Sequence, residues 1–137
     1  MLLNLFKNII FFLFIFNAFS FSVLAKHCFQ EKDYQRHWCS SVRGQTEFIL
    51  PDKTRVDCLT NEYAIEFDFA SKWAEAIGQS LYYALCTNKK PGVVLIIENA
   101  SKDKKYLQRL LKVSNLYNIK VWITTPQDIF KVQNPYK

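Results

Sequence analysis

Three acidic residues lie close together in the sequence, at a spacing that could bring them to one metal ion. Asp57 falls in the segment Arg55–Leu59, and Glu66 and Asp68 fall in the segment Tyr63–Phe69. The second segment alternates as a β-strand does, so Glu66 and Asp68 share one face. If Asp57 points the same way from the neighbouring strand, the three carboxylates converge. Converging carboxylates raise one another's pKa unless a hard divalent cation neutralises them. Solvated residues on an open strand face are the alternative interpretation.

A helix is predicted directly after the acidic segments. Residues 71–86 contain no proline, and Ser71 is a suitable N-cap. Successive side chains of a helix are rotated by about 100°. One side of this helix therefore carries mainly apolar residues, namely Trp73, Ala74, Ile77, Leu81, Ala84 and Leu85. The opposite side carries the polar residues and two tyrosines, namely Lys72, Glu75, Gln79, Tyr82 and Tyr83. The apolar side is expected to pack on a sheet, and the polar side to face the carboxylates or water.

The elements that must position these residues predict an α/β domain. A short helix is expected at 31–38, a hairpin at 47–50 and 55–59, a third strand at 63–69, and a continuous aliphatic strand at 93–97. A helix capped by Ser101 and running to about Asn115, then a strand at 120–124, complete the order α-β-β-β-α-β-α-β. A hairpin sheet extended by a crossover helix predicts a mixed central sheet flanked by helices, with strand 93–97 covered on both faces.

The order of these motifs resembles the PD-(D/E)xK, or restriction-endonuclease-like, nuclease superfamily. The pattern D-x8-E-x-D at Asp57, Glu66 and Asp68 is followed by Q-x-x-x-Y at Gln79 and Tyr83, an element similar to that of the RecB-like branch. The predicted elements over roughly residues 30–124 are similar to the αβββαβ core of that family. The resemblance implies a metal-dependent nuclease that hydrolyses phosphodiester bonds, with DNA favoured over RNA.

The resemblance also implies which residues hold the cation. Asp57 and Glu66 would ligate Mg²⁺ or Mn²⁺, with the Phe67 carbonyl as a third ligand. Asp68 would bind the metal or orient water. A bound divalent ion lowers the pKa of its water and polarises the phosphoryl group.

One position departs from the family pattern. The lysine of the E-x-K motif is replaced by Asp68, and Lys72 at the start of the next helix is placed to substitute for it. Lys72 would then orient water or stabilise the charge of the transition state. The resemblance implies that Gln79 and Tyr83 hold the substrate or the metal shell.

Other titratable residues have simpler interpretations. Glu47 is expected to pair with Arg55 or Lys53 across the hairpin, with a place around the metal site as the alternative. Glu31 is expected to be an exposed helix residue, although some family members carry an extra acid on the first helix. His27 and His37 are expected to lie on the surface.

The composition and the first residues predict one exported domain. The chain has 137 residues with 50% hydrophobic residues, only 3 Gly and 4 Pro, which excludes collagen-like and low-complexity classes. Lys7, the apolar run at 9–16 and the small residues before Ala25 predict a signal peptide over 1–25, with an uncleaved anchor as the alternative. Residues 26–137 would form a single periplasmic or secreted domain with no stable membrane association after cleavage.

The cysteines and the charge agree with export and with a polyanionic partner. All four cysteines, Cys28, Cys39, Cys58 and Cys86, follow the predicted cleavage point, so two disulfides are expected, in any of three pairings. Their spacing does not match a zinc site. The formal net charge is +6, which favours nucleic acid as a partner.

Two alternatives to an active nuclease stay open. A catalytically inactive nuclease-fold module would bind nucleic acid or a protein partner without cleavage. A small exported domain with a structural or inhibitory role would carry the acidic strand face incidentally.

Overall fold

The computed structural model describes residues 27–133, which form an α/β fold. Five strands, β1 (Gln45–Ile49), β2 (Arg55–Leu59), β3 (Tyr63–Phe69), β4 (Lys90–Ile96) and β5 (Lys120–Thr124), make one sheet in that order. Four helices, α1 (Glu31–Ser41), α2 (Trp73–Thr87), α3 (Ala100–Tyr117) and α4 (Pro126–Gln133), pack against it. The predicted signal peptide lies outside the described residues. Within those residues, no helix has both the length and the apolar character that a membrane crossing requires.

The sheet is mixed, as predicted. β1 and β2 form a hairpin, and β2 pairs antiparallel with β3. β3 pairs parallel with β4, and β4 pairs parallel with β5, so α2 and α3 serve as the two crossovers. β4 therefore lies inside the sheet, and its residues Val93 to Ile96 are buried, which confirms the predicted covered strand.

Alternating residues of β4 divide the core between two faces of the sheet. Val94 and Ile96 pack with Tyr34 of α1 and Ile129 of α4. Val93 and Leu95 pack on the other face with residues of α2 and α3. A third cluster joins Leu50, Val56, Ala64 and Tyr83 beneath α2. Each face of β4 is thus covered by helices, which explains its unbroken aliphatic sequence.

Apart from shifts of two or three residues at other boundaries, these details differ from the sequence predictions. Ser71 does not cap α2, because residues 70–72 form a turn of 3₁₀ helix and α2 begins at Trp73. The cap of α3 is Asn99 rather than Ser101; its side chain accepts a hydrogen bond from the Lys102 backbone N–H. Strand β4 begins at Lys90 rather than at Val93, and α4 was not predicted.

The prediction of two disulfides is wrong. Cys39 of α1 is bonded to Cys58 of β2, whereas Cys28 and Cys86 are exposed free thiols. The bond is fully buried, and Gly44 packs so closely on it that an added Cβ would lie 2.5 Å and 2.6 Å from the two sulfurs. The disulfide therefore fixes the end of α1 to β2 at the position next to Asp57.

Candidate carboxylate site

Asp57 lies where the hydrogen-bonded ladder between β2 and β3 ends. The registered pairs of the two strands are Cys58 with Ile65 and Leu59 with Ala64. Beyond them, the Asp57 carboxylate itself accepts a hydrogen bond of 2.9 Å from the Phe67 backbone N–H. The structure thus shows the Phe67 N–H bound to Asp57, and the role of the Phe67 carbonyl as a metal ligand stays a prediction. Asp57 is held beside the acidic part of β3.

Glu66 and Asp68 are buried on the α2 side of β3. Ala64 packs with Tyr83 of α2, and residues two apart on a strand share a face. Glu66 is only 6% exposed and Asp68 only 4%. Within the described residues, one oxygen of each carboxylate, Glu66 Oε2 and Asp68 Oδ1, is buried without a hydrogen-bond partner. Buried polar atoms normally have a partner, so these two oxygens are candidates to bind a ligand.

Burial is the main cause that raises the pKa of all three predicted carboxylates. Burial raises the pKa of Glu66 to about 10, and the negative charges of Asp57 and Asp68 add to this effect. Burial also raises the pKa of Asp57 to about 7, although the Phe67 N–H opposes the change. For Asp68, burial again raises the pKa to about 7, and the positive charge of Lys72 opposes it. Asp57 therefore acts electrostatically on Glu66 from the neighbouring strand, while Glu66 and Asp68 lie on the same strand; the convergence of all three carboxylates on one ion stays a prediction.

Glu31 also belongs to this group, which corrects its interpretation as an exposed residue. It is half-buried at the first position of α1. Burial raises its pKa, the charge of Lys72 lowers it, and the charge of Glu47 raises it. Glu31 in turn raises the pKa of Asp57 and Asp68. The Cys39–Cys58 pairing would have indicated this arrangement by placing α1 beside β2, but the sequence left three pairings open.

Glu47 forms the predicted ion pair. Its Oε2 lies 2.6 Å from Arg55 Nη1 across the β1–β2 hairpin. The pair is substantially exposed, and the Glu47 charge still contributes to the raised pKa of Asp57. Glu47 therefore lies at the edge of the acidic group.

Lys72 is the cation next to the carboxylates. It ends the 3₁₀ turn that follows β3, and its Nζ lies 3.8 Å from Glu75 Oε2. Its charge lowers the pKa of both Glu31 and Asp68. The side chain is 57% exposed, so it can approach a ligand from the solvent side.

Gln79 and Tyr83 occupy neighbouring turns of α2, but the predicted face of the helix is wrong. Tyr83 is buried at 6% exposure, whereas Leu85, which was expected to be inward, is 80% exposed. Ala76, Ser80 and Ala84 face the sheet because small side chains let the helix approach β3 and β4 closely. Gln79 is exposed.

Tyr83 nevertheless lies within range of the acidic group. Burial raises the pKa of its phenol, the nearby Gln79 side chain opposes this, and the charges of Glu66 and Asp57 add to it. The structure thus brings Gln79, Tyr83 and the carboxylates into one neighbourhood, with Tyr83 as part of its buried wall.

The donor set suits a hard cation that retains water. Within residues 27–133, no group of three or more His, Cys, Asp or Glu side chains is arranged to hold a metal ion by itself. Mg²⁺, however, is commonly bound through one or two carboxylates, with water in the other positions. Two unpartnered carboxylate oxygens from adjacent acidic residues meet that requirement. The residues therefore fit a partly hydrated cation and do not form a complete protein cage.

A second polar group, which the sequence did not indicate, lies where the chain enters α1. Glu98 accepts hydrogen bonds from His27 Nδ1 (2.7 Å), the Cys28 N–H (2.8 Å) and the Tyr34 hydroxyl (2.7 Å). His27 also stacks on Phe69, with ring centroids 3.5 Å apart. His27 is exposed at the surface, as expected, but it also has a hydrogen-bond partner 71 positions away, which no local pattern could reveal.

The comparisons with known proteins give no match. No family model, curated protein or solved structure is significantly similar to the chain.

Proposed function

We propose that this protein is an exported, divalent-metal-dependent nuclease that hydrolyses phosphodiester bonds in nucleic acid, with DNA favoured. The observation that carries the proposal is the group formed by Asp57, Glu66 and Asp68, with two buried carboxylate oxygens that lack a partner. The order αβββαβ at the start of the fold and the position of Lys72 support the same restriction-endonuclease-like interpretation.

The raised pKa values explain why a cation would bind here. Three buried acids that repel one another hold protons at neutral pH more strongly than free acids do. Mg²⁺ or Mn²⁺ would displace those protons, with Asp57, Glu66 and Asp68 as the candidate ligands. Such a bound ion supplies an activated water and stabilises negative charge on a phosphoryl group.

The remaining residues position the substrate and stabilise charge. Lys72 lies on the open side of the carboxylates and would contact the phosphate under attack, which compensates for the acid at position 68. Tyr83 forms the buried wall behind Glu66, and Gln79 at the surface of α2 would contact the substrate strand.

The buried disulfide supports the exported location. A Cys39–Cys58 bond in the core persists in an oxidising compartment such as the periplasm or the extracellular space, and is uncommon in the cytosol. We therefore retain the proposal of a periplasmic or secreted domain with no stable membrane association.

The test is digestion of plasmid DNA, single-stranded DNA and RNA by the oxidised protein with Mg²⁺ or Mn²⁺, beside EDTA. Asp57→Asn and Glu66→Gln should each lower the cleavage rate at least about 100-fold, since each removes a ligand charge. Glu62→Gln is the matched control, because Glu62 is an exposed acid paired with Lys90 at the opposite end of β3. Cleavage that persists in Asp57→Asn or in EDTA would contradict the proposal.

The second candidate is an inactive module that binds nucleic acid or a protein. The absence of a complete metal-ligand group within residues 27–133 and the acid in place of the motif lysine favour it. This module would bind an oligonucleotide or a protein equally well with Mg²⁺ and with EDTA, and would leave every nucleic-acid substrate intact.

A further inference from the structure

A cleft of about 580 Å³ lies at the carboxyl ends of β3 and β4, beside the carboxylate site. Phe69, Ala70 and Ser71 form one wall and follow directly after Asp68 in the chain. Three residues span at most about 11 Å, so the cleft begins within that distance of the Asp68 backbone. Ligands of open α/β sheets bind at the carboxyl ends of the strands. The position and the volume are therefore those of a ligand site.

The positive charges of the cleft are available to a ligand. Lys102 and Lys105 line it from the first turns of α3. Neither lysine belongs to any ion pair found in the described part of the chain. Two exposed ammonium groups on one wall can contact the oxygens of a phosphate.

The acids of the cleft are already engaged inside the protein. Glu98 accepts the three hydrogen bonds from His27, Cys28 and Tyr34. Asp103 accepts from the backbone N–H groups of Glu98 and Asn99, at 3.2 Å and 2.9 Å. These carboxylates hold the walls of the cleft in place through their hydrogen bonds. The charge that a ligand meets is therefore that of the two lysines.

The cleft also has a flat aromatic wall. The rings of His27 and Phe69, which both line it, are stacked at an interplanar angle of 18°, so they cover each other's inner faces, and the half-exposed His27 ring leaves its outer face to a ligand. Cationic groups beside a flat aromatic surface are the combination by which proteins bind the backbone and the unpaired bases of a single strand.

We propose that this cleft is a phosphate-binding subsite that holds one nucleotide of a single-stranded nucleic acid next to the carboxylate group. The proposal rests on the nuclease function for the identity of the strand. The phosphate of the bound nucleotide contacts Lys102 and Lys105, and the base lies against the wall formed by His27 and Phe69. The next phosphate along the strand then reaches the exposed Lys72, which lies beside Asp68.

The test measures binding apart from cleavage. The exported, oxidised protein is titrated in EDTA with fluorescein-labelled dT8, and the anisotropy is followed from 20 to 200 mM salt. Lys102→Gln and Lys105→Gln should each weaken binding about tenfold and reduce the slope of log K against log salt by about 0.7, the value for one phosphate contact with a single strand. Lys104→Gln is the matched control, since Lys104 lies on the same helix and is not part of the cleft lining.

Amide NMR shifts locate the ligand. The expected result is a set of shifts on dT8 addition at residues 69–72 and 98–105, and the same set in the Asp57→Asn variant. Equal weakening by all three lysine substitutions would overturn the subsite, because it indicates a diffuse positive field. Equal affinity for dTMP and dT8 would overturn the assignment to a strand and indicate a free nucleotide.

The two proposals fail in different ways. If the wild-type protein binds dT8 in the cleft but no substrate is cut with Mg²⁺, the nuclease proposal fails and the subsite stands. If DNA is cut in an Asp57-dependent way while Lys102→Gln and Lys105→Gln bind dT8 as the wild type does, the subsite fails and the nuclease proposal stands.

Discussion

At the scale of single residues, acidic side chains are buried where the ionised form is unfavourable. Glu66 and Asp68 are buried on one strand, and Asp57 reaches the same strand through its hydrogen bond to Phe67. A protein without a ligand for these groups would gain stability by replacing them with apolar residues. Their burial therefore indicates a function, and it also makes two direct measurements possible.

The stability of the metal-free protein should fall as pH rises. For Asp57 and Asp68 the pKa is about 7 in the folded state, above the ordinary 3.8, and for Glu66 it is about 10, above 4.5. The folded state thus binds more protons than the unfolded state, so this contribution to stability is fully present below pH 3.8 and is lost as pH rises, through about 7 for Asp57 and Asp68 and through about 10 for Glu66. A tenfold change in proton affinity corresponds to about 1.4 kcal/mol, so Tm in EDTA should be at least about 5 °C lower at pH 8 than at pH 5.

Thermal melts with and without Mg²⁺ check this prediction. The ion should raise Tm at pH 8 more than at pH 5, because fewer protons compete with it at pH 8. Glu66→Gln should reduce both the pH dependence and the effect of Mg²⁺. A Tm in EDTA that is constant from pH 5 to pH 8 would contradict the electrostatic description.

Lys72 should affect both the rate and its pH dependence. Lys72→Gln is expected to lower kcat about 100-fold, because it removes the positive charge nearest the proposed phosphate. Since Lys72 lowers the pKa of Asp68, the same substitution should move the acidic limb of the pH–rate profile to higher pH. Lys104→Gln, with the same loss of charge, should leave the profile in place. If the pH–rate profile of Lys72→Gln is unchanged, another group must stabilise the charge of the proposed transition state.

At the scale of the elements, local patterns predicted the strands well and the helix orientations less well. The bounds of β2, β3 and β5 follow directly from alternation and turn residues, and the structure has them as expected. The orientation of α2 depends on how small residues such as Ala76 and Ser80 fit against the sheet, and hydrophobicity alone does not encode that fit.

Longer-range features of the site could not be read from the sequence. The neighbourhood of Asp57, Glu66 and Asp68 was predictable because strand pairing between adjacent segments is local. The approach of Glu31 depends on the Cys39–Cys58 disulfide, and the Glu98 network joins residues about 70 positions apart. Such contacts depend on tertiary packing, so they produce no periodic pattern in the sequence.

The disulfide should contribute strongly to stability because it connects α1 to β2. Its sequence separation is 19, for which loop-closure entropy corresponds to about 3 kcal/mol. The double variant Cys39→Ala/Cys58→Ala should lower the free energy of unfolding in urea by about that amount. Cys28→Ser/Cys86→Ser, which alters exposed free thiols, is the control and should change it by less than about 0.5 kcal/mol. Similar losses in the two double variants would show that α1 is held mainly by its apolar contacts.

At the scale of the whole molecule, the sheet separates two helical layers that depend on the same two strands. Tyr34, Ile65 and Ile129 lie in the layer formed with α1 and α4, and Ala76 and Leu110 lie in the layer formed with α2 and α3. β3 and β4 contribute to both. The carboxylates on β3 therefore lie between the layers, and loosening of either layer should disturb them.

This arrangement predicts that residues 27–133 unfold in a single cooperative step. Trp38 and Trp122 report on the first layer, and Trp73 reports on the second. Single-tryptophan forms, with the other two replaced by Phe, should show urea midpoints that coincide with one another and with the loss of far-ultraviolet circular dichroism. Midpoints that differ between the Trp73 form and the Trp38 form would mean that the layers unfold separately. In that case the carboxylate site would be lost with whichever layer opens first, since Asp57 is tied to α1 through Cys58 and Asp68 is next to the turn that begins α2.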